Sequence, residues 1–486
     1  MAIFMANSMV QSTTPSVKSS YWSVITNNSK AIKLFLLIAA GLIFWSYPHP
    51  QEVSSQAWHL LTIFIFTIIA MVSKILPTGS LAIITVSLCC STSTLPVEKA
   101  IIGFSSKIIW LVFSAFILAR GFTKTGLGAR IAYYFVYLFG KNTVGLSYGL
   151  ILTELFLSPL IPSNTARGAG IMFPIANAIS KEYNSKTLGG LLMKICFHAN
   201  VITSAMFMTA SAANPLITSI SKNFGYELNW LVWAKTAIVP GLLSLFILPF
   251  LLFLFFPGAL KNTSEIQQFA KQQIDNSGPL KQGEWVMLGT FFLLLFLWVA
   301  GSYLGIDATA SAFIGLSILL ISNVLTWNDV IAEKEAWSTF MWLATLLMLA
   351  TNLSQLGIIS WMSTQIHASI TGYSWQAGLL LLATICFFAH YLLASFASHI
   401  SALYAAFCSI VILLGAPAPI AVLVFAGVSN FSGAVTHYST GAAPLFFSSN
   451  YISMQKWWQI GLVVGLVNAT IWLLVGGWWW KLLHLW

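Results

Sequence analysis

The sequence predicts an all-α polytopic membrane protein with about eleven transmembrane helices and two re-entrant hairpins arranged as an inverted repeat. Three observations predict it. Charged residues are 7% and apolar residues 58% of the 486, with a mean hydropathy of +0.84. A soluble chain carries roughly 25% charged residues, so this much apolar surface calls for lipid. Apolar runs near the ~20 residues that cross a hydrocarbon layer recur along the chain. Finally, polar breaks interrupt these runs in two pairs. The first pair is LSPLIPSNTARGAGIMFP (Leu157 to Pro174) and TASAANP (Thr209 to Pro215); the second is LLASFASHISALYAAF (Leu392 to Phe407) and THYSTGAAP (Thr436 to Pro444). Broken backbone at membrane depth persists only where protein or a watery cavity satisfies its free N–H and C=O groups.

Residues 1–30, rich in Ser, Asn and Thr, read as a cytoplasmic tail, and 31–56 as an extra first helix and loop. A removable signal peptide is not expected, because no basic segment leads directly into an apolar core and cleavage site. The first repeat is placed at 57–258, with spans Ala57 to Leu76, Gly79 to Ser93, Ile108 to Gly121, Ile195 to Met208 and Leu231 to Phe256, and a hairpin over 144–179. Residues 259–283 read as a polar cytoplasmic linker. The second repeat is placed at 284–486, with spans Trp285 to Leu304, Ala308 to Leu325, Phe340 to Leu356, Ala418 to Val435 and Trp457 to Trp479, and a hairpin over 375–414. The internal match supports the duplication: Trp110-Leu111, Ala119 and Gly126 correspond to Trp342-Leu343, Ala350 and Gly357, and Pro215 to Pro444. Five spans per half is odd, so the second half is expected upside down, with the hairpin tips meeting at the midplane.

This topology sends most basic residues inward, among them Lys74, Arg120, Arg130 and Lys281, and leaves Lys99, Lys107, Lys222 and Lys481 outside. The asymmetry fits the positive-inside rule with a cytoplasmic N-terminus in a cell (inner) membrane. The net charge of +10 is then topological, and scattered basic residues do not form a nucleic-acid footprint. The five cysteines lie in apolar segments without metal spacing and read as core.

Half-helices meeting at a turn direct free N–H groups and partial positive charge into a cavity, which suits an anion. At the first tip Ser163, Asn164 and Thr165 add short hydroxyl and amide donors; at the second tip Ser395, Ser398 and Ser401 do so beside His399. Thr209, Thr436, Ser439, Thr440 and Gly441 extend the candidate substrate site along the two later breaks. Facing donor clusters suit a dicarboxylate. Arg167 has two compatible readings, a structural partner of Glu154 thirteen residues earlier and a fixed positive charge beside the anion. His399 and His437 occupy matching places in the second half, and these three are the charge-compensating candidates. His198 and Asn200 are weaker candidates; Phe173, Tyr404 and Tyr438 read as pocket lining or packing. The bland alternative for each Ser or Thr is a bond to its own helix backbone.

On these residues the chain resembles the divalent anion/sodium symporter (DASS) family of INDY-type elevator transporters. Ser163-Asn164-Thr165 is similar to that family's SNT hairpin tip. PSNTARGAGIMFP, SAMFMTASAANP and THYSTGAAP are similar to motifs of its 2-oxoglutarate/malate translocator and citrate/succinate antiporter branch. The resemblance spans about 31–480 and implies eleven spanning helices, two hairpins, a homodimer and elevator movement. The family's symporters repeat SNT in the second hairpin and hold Na+ there; this chain reads Ala397-Ser398-His399 in that region. Arg167 and His399 are therefore expected to stand where coupling ions would sit, making the chain an obligatory exchanger of di- or tricarboxylates such as malate, 2-oxoglutarate, succinate or citrate. A Na+-coupled symporter is the alternative. A membrane-embedded enzyme is more distant, since the chain has no HExxH helix or Cys/His cluster, and neither a cofactor nor a metal is expected beyond that Na+.

Overall fold

The computed structural model describes residues 17–183, 185–259, 262–369, 372, 374–393 and 395–486. The start of the expected tail, residues 1–16, and the expected inward charge at Lys261 lie outside them. The described residues are helical throughout, joined by short turns. Among the described residues, eight helices are long and apolar enough to cross a membrane, and seven of these coincide with expected spans. The other four expected spans are shorter helices, Ala31–Ser46, Thr78–Ser91, Ala308–Ile321 and Ala418–Ala434. A helix of 14 residues, such as Thr78–Ser91, covers only about 21 Å at 1.5 Å per residue. Short pieces follow, Val97–Ala100 and Ile102–Ser105 after one and Trp327–Ala332 after its counterpart.

Elements recur at near-constant spacing: Thr78–Ser91 and Ala308–Ile321 start 230 residues apart, and Thr143–Leu157 and Trp375–Ala389 start 232 apart. The halves also exchange helices, since Thr78–Ser91 packs on Lys334–Gln355 while Ala308–Ile321 packs on Lys107–Thr125. Lys186–Met206 is buried from Leu188 onward, against Trp230–Phe253 and Ala418–Phe431.

Both hairpin stretches turn back as expected. In the first, Thr143–Leu157 ends before Pro159 and Pro162, whose missing N–H groups and fixed φ disfavour further helix. Helix resumes at Asn164–Arg167, widens into a π-helical turn at Gly168–Met172 and continues as Phe173–Glu182. The second repeats this pattern 232 residues on, with Phe396–His399, a π-helical turn at Ile400–Tyr404, and Ala405–Leu413.

Three helices were not anticipated. Leu127–Phe139 and Ile358–Ser369 follow the two matched spans, and the polar linker contains Ser264–Ser277, which packs along Leu127–Phe139. Arg130 fastens this corner: its Nε donates to Glu284 Oε1 at 2.6 Å and Nη1 to the Gly278 carbonyl at 2.8 Å. The linker is thus a docked helix.

Candidate functional site

At the first tip Ser163 is extended (φ −96°, ψ 107°) and its hydroxyl oxygen accepts the Ala166 N–H at 3.0 Å, capping the helix that follows. The tip opens into a cavity of about 240 Å³ lined by Phe116, Ser163, Asn164, Thr165, Ala212, Glu335, Ser338 and Thr339. At the second tip Ser395, Ala397 and Ser398 line a cavity of about 550 Å³ with Lys74, Thr78 and Trp342. Thr78 and Ser338, 3.1 Å apart between hydroxyl oxygens, join the walls of the two cavities. Neither was identified from the sequence, and neither were Lys74 and Glu335 as site residues: each sits at a helix end with no local motif, and only folding brings it to a tip.

The second break meets the first tip. A Cβ on Gly441 would collide with the Thr165 hydroxyl, and one on Gly168 would lie 2.9 Å from Ala442 Cβ, so both contacts require glycine. The helix leading into the Thr436 to Pro444 break is also tied to the Thr209 to Pro215 break, because the Asn430 amide donates to Asn214 Oδ1 at 3.0 Å. Asn214 in turn donates to the carbonyls of Ser204 (2.7 Å) and Phe207 (3.0 Å), supplying partners to backbone freed where Lys186–Met206 ends.

Several expected ligands are turned to structural use. Thr209 donates to the Pro159 carbonyl and accepts from Trp230 Nε1 at 3.0 Å. Ser439 donates to the Gly433 and Thr436 carbonyls at 2.5 and 2.8 Å. Ser401 donates to the Ala397 carbonyl at 2.6 Å, and Thr440 accepts the Ala443 N–H at 3.1 Å. Thr436 is buried with its hydroxyl unpartnered. His437 accepts from Trp458 Nε1 at 3.1 Å amid Tyr438 and Phe447 rather than at either tip cavity. Phe173 packs edge-on against Phe446, and Tyr404 donates to the Val422 carbonyl at 3.1 Å.

Arg167 is fully buried. Its Nε donates to Glu154 Oε1 at 2.7 Å, Nη1 to the carbonyls of Ile161 and Ala210, and Nη2 to Ser204 Oγ at 3.3 Å. Glu154 Oε1 also accepts from Asn200 Nδ2 at 2.7 Å and Thr203 Oγ1 at 3.3 Å. Of the two compatible readings of Arg167, the structure shows the partnership with Glu154, and the pair clasps the two arms of the hairpin. The second hairpin has a counterpart at the same 232-residue spacing. His399 Nε2 lies 2.7 Å from the Cys386 carbonyl oxygen and 3.8 Å from Cys386 Sγ, again linking arm to arm.

The helical register also corrects the motif comparison. Residues 232 positions after Ser163-Asn164-Thr165 are Ser395-Phe396-Ala397. The Phe396 ring, at the place of Asn164, fills the space beside Gly433. The second tip therefore presents an apolar ring where the first has the Asn164 amide, whose oxygen is the kind of ligand a hard cation such as Na+ prefers, and the clasping residues stand inside both hairpins. The residues present do not fit a symmetric pair of Na+ sites.

The transmembrane-region model of the sodium:sulfate symporters matches residues 28–486. Over 465 residues the chain is 45% identical to YflS of Bacillus subtilis (strain 168), a transporter provisionally named for malate, covering 94% of this chain and 97% of the relative. It is 42% identical over 467 residues to chloroplastic dicarboxylate transporter 1 of Arabidopsis thaliana, covering 94% and 84%. It is 30% identical over 482 residues to the citrate/succinate antiporter of Escherichia coli (strain K12), covering 93% and 97%. Among solved structures, the Alcanivorax borkumensis YdaH transporter matches with a TM-score of 0.54 over 87% of this chain and 98% of that one, at 13% identity, a likeness of fold. With spanning helices, paired broken hairpins and a family match across nearly its whole length, this multi-pass membrane chain belongs to the sodium:sulfate symporter, or divalent anion/sodium symporter, family of transporters.

Proposed function

We propose that the protein is a secondary active carrier of small di- and tricarboxylates, of the malate, 2-oxoglutarate, succinate and citrate class, and that it exchanges one anion for another. The observation that carries this reading is the pair of cavities at the hairpin tips, their walls bridged by Thr78 and Ser338, with Ser163, Asn164 and Thr165 in one and Ser395, Ser398 and Lys74 in the other. Donors at both ends and one cation suit an anion with two carboxylates. The relatives named for malate, dicarboxylates and citrate/succinate support the same class.

Exchange follows from charge. Moving one elementary charge through a membrane potential costs about 2.3 kcal/mol per 100 mV, so a dianion entering alone against an inside-negative potential faces roughly twice that. A symporter offsets this with cations. Here the hairpin arms are held by residues that cannot leave, Arg167 with Glu154 and His399 with Cys386, and swapping dianion for dianion moves no net charge. The remaining proposal is an inverted-repeat elevator, working as a homodimer in the cell membrane.

Counterflow in proteoliposomes tests it. Labelled malate is expected to enter vesicles preloaded with malate and not empty ones, with or without Na+. Equal uptake into empty vesicles driven by a Na+ gradient would sink exchange and favour symport, the second reading that the intact first Ser163-Asn164-Thr165 tip keeps in play.

A further inference from the structure

Glu335 stands in the first turn of Lys334–Gln355 and borders two neighbouring cavities. One is the first-tip cavity, and the other, about 350 Å³, is lined by Thr165, Ala166, Arg120 and Glu333 among others. Its Oε2 accepts a hydrogen bond from the Ser163 hydroxyl at 3.3 Å. Because that hydroxyl's oxygen is engaged by the Ala166 N–H, its proton is directed outward, and the acceptor it meets is a carboxylate of the protein itself. Among the described residues Glu335 makes no ion pair, and Arg120, which lines the same second cavity, lies with its Nε 4.0 Å from Glu333 Oε2. Ser338, one turn along the same helix, faces the same cavity and reaches Thr78 beside the second tip.

We propose that Glu335 is an internal stand-in for the substrate: in the empty carrier its carboxylate holds the place of a substrate carboxylate at Ser163, and the incoming dicarboxylate displaces it. The inference rests on the carboxylate reading above. Two carboxylates cannot share one donor at close range without strong repulsion. Substrate binding therefore loses the Glu335 contact and pushes a like charge aside, while the returning Glu335 refills the tip as substrate leaves. The residue sets a ceiling on affinity and keeps the anion from being trapped.

The test is counterflow kinetics of the full chain in proteoliposomes with labelled malate. Glu335→Gln keeps the shape and removes the charge, so KM for malate is expected to fall about three- to tenfold while kcat holds or declines, the scale of one ordinary net hydrogen bond. Glu333→Gln, which touches Arg120 and not Ser163, is expected to leave KM unchanged. A role in stability alone would reduce active protein without moving KM. If Glu335→Gln turns over too slowly for kinetics, the malate concentration giving half-maximal thermal stabilisation reads the same affinity. An unchanged or raised KM in Glu335→Gln, with wild-type exchange intact, overturns this inference alone. A wild type that exchanges no dicarboxylate overturns the functional reading and this inference with it.

Discussion

A carboxylate and a guanidinium buried together at hairpin depth place a severe constraint on single residues. Glu154 and Arg167 are both fully buried, and Glu154 Oε1 receives three donors. Removing one partner of such a pair leaves an uncompensated charge and costs about 3–5 kcal/mol. Glu154→Gln is therefore expected to lower the thermal unfolding midpoint sharply in detergent. Asp329→Asn, which breaks the more exposed 2.6 Å contact with Lys124, is expected to cost under about 1 kcal/mol. Equal shifts in the two variants would show that the buried clasp is not a principal support. The clasp was legible in the sequence because its members lie thirteen residues apart across one turn. Glu335 was not, since it is 172 residues from Ser163 and carries no motif.

At the level of elements, the two hairpins share one device, a four-residue helical tip followed by a five-residue π-helical turn. Such turns hold one more residue than an α-helix does and appear often at functional sites. Deleting Ala169 would let Gly168–Met172 close into regular α-helix and remove the widened turn beneath the tip. The close packing of Gly168 against Ala442 lies in that turn and would then be disturbed. The expected result is loss of malate counterflow from a protein that still reaches the membrane; counterflow at the wild-type rate would mean that the tip is not set by this turn. The breaks themselves were visible from Pro, Gly and Ser within apolar runs. Leu127–Phe139, Ser264–Ser277 and Ile358–Ser369 were not, because helices of 12 to 14 residues with mixed polarity are too short to read as spans and are recognised only through what they pack against.

For the molecule as a whole, the proposed orientation puts the Ser264–Ser277 helix inside and the turn after Asn214–Ser221 outside. In a cysteine-free background, Asn223→Cys is expected to react with an impermeant maleimide on intact cells, and Asp275→Cys only after permeabilisation. The reverse pattern would invert the topology. The sequence by itself determined the membrane setting, the duplication, the position of both hairpins and the Ser163-Asn164-Thr165 tip, because hydropathy, spacing and helix-breaking residues are local properties of the chain. Only the tertiary structure decided what the polar groups do once there. It set Phe396, at the position matching Asn164, against Gly433 and brought Thr78, Ser338 and Glu335 to the tips. Hydrogen bonds and close contacts between residues far apart in sequence depend on how helices from both halves pack, and no local pattern encodes that.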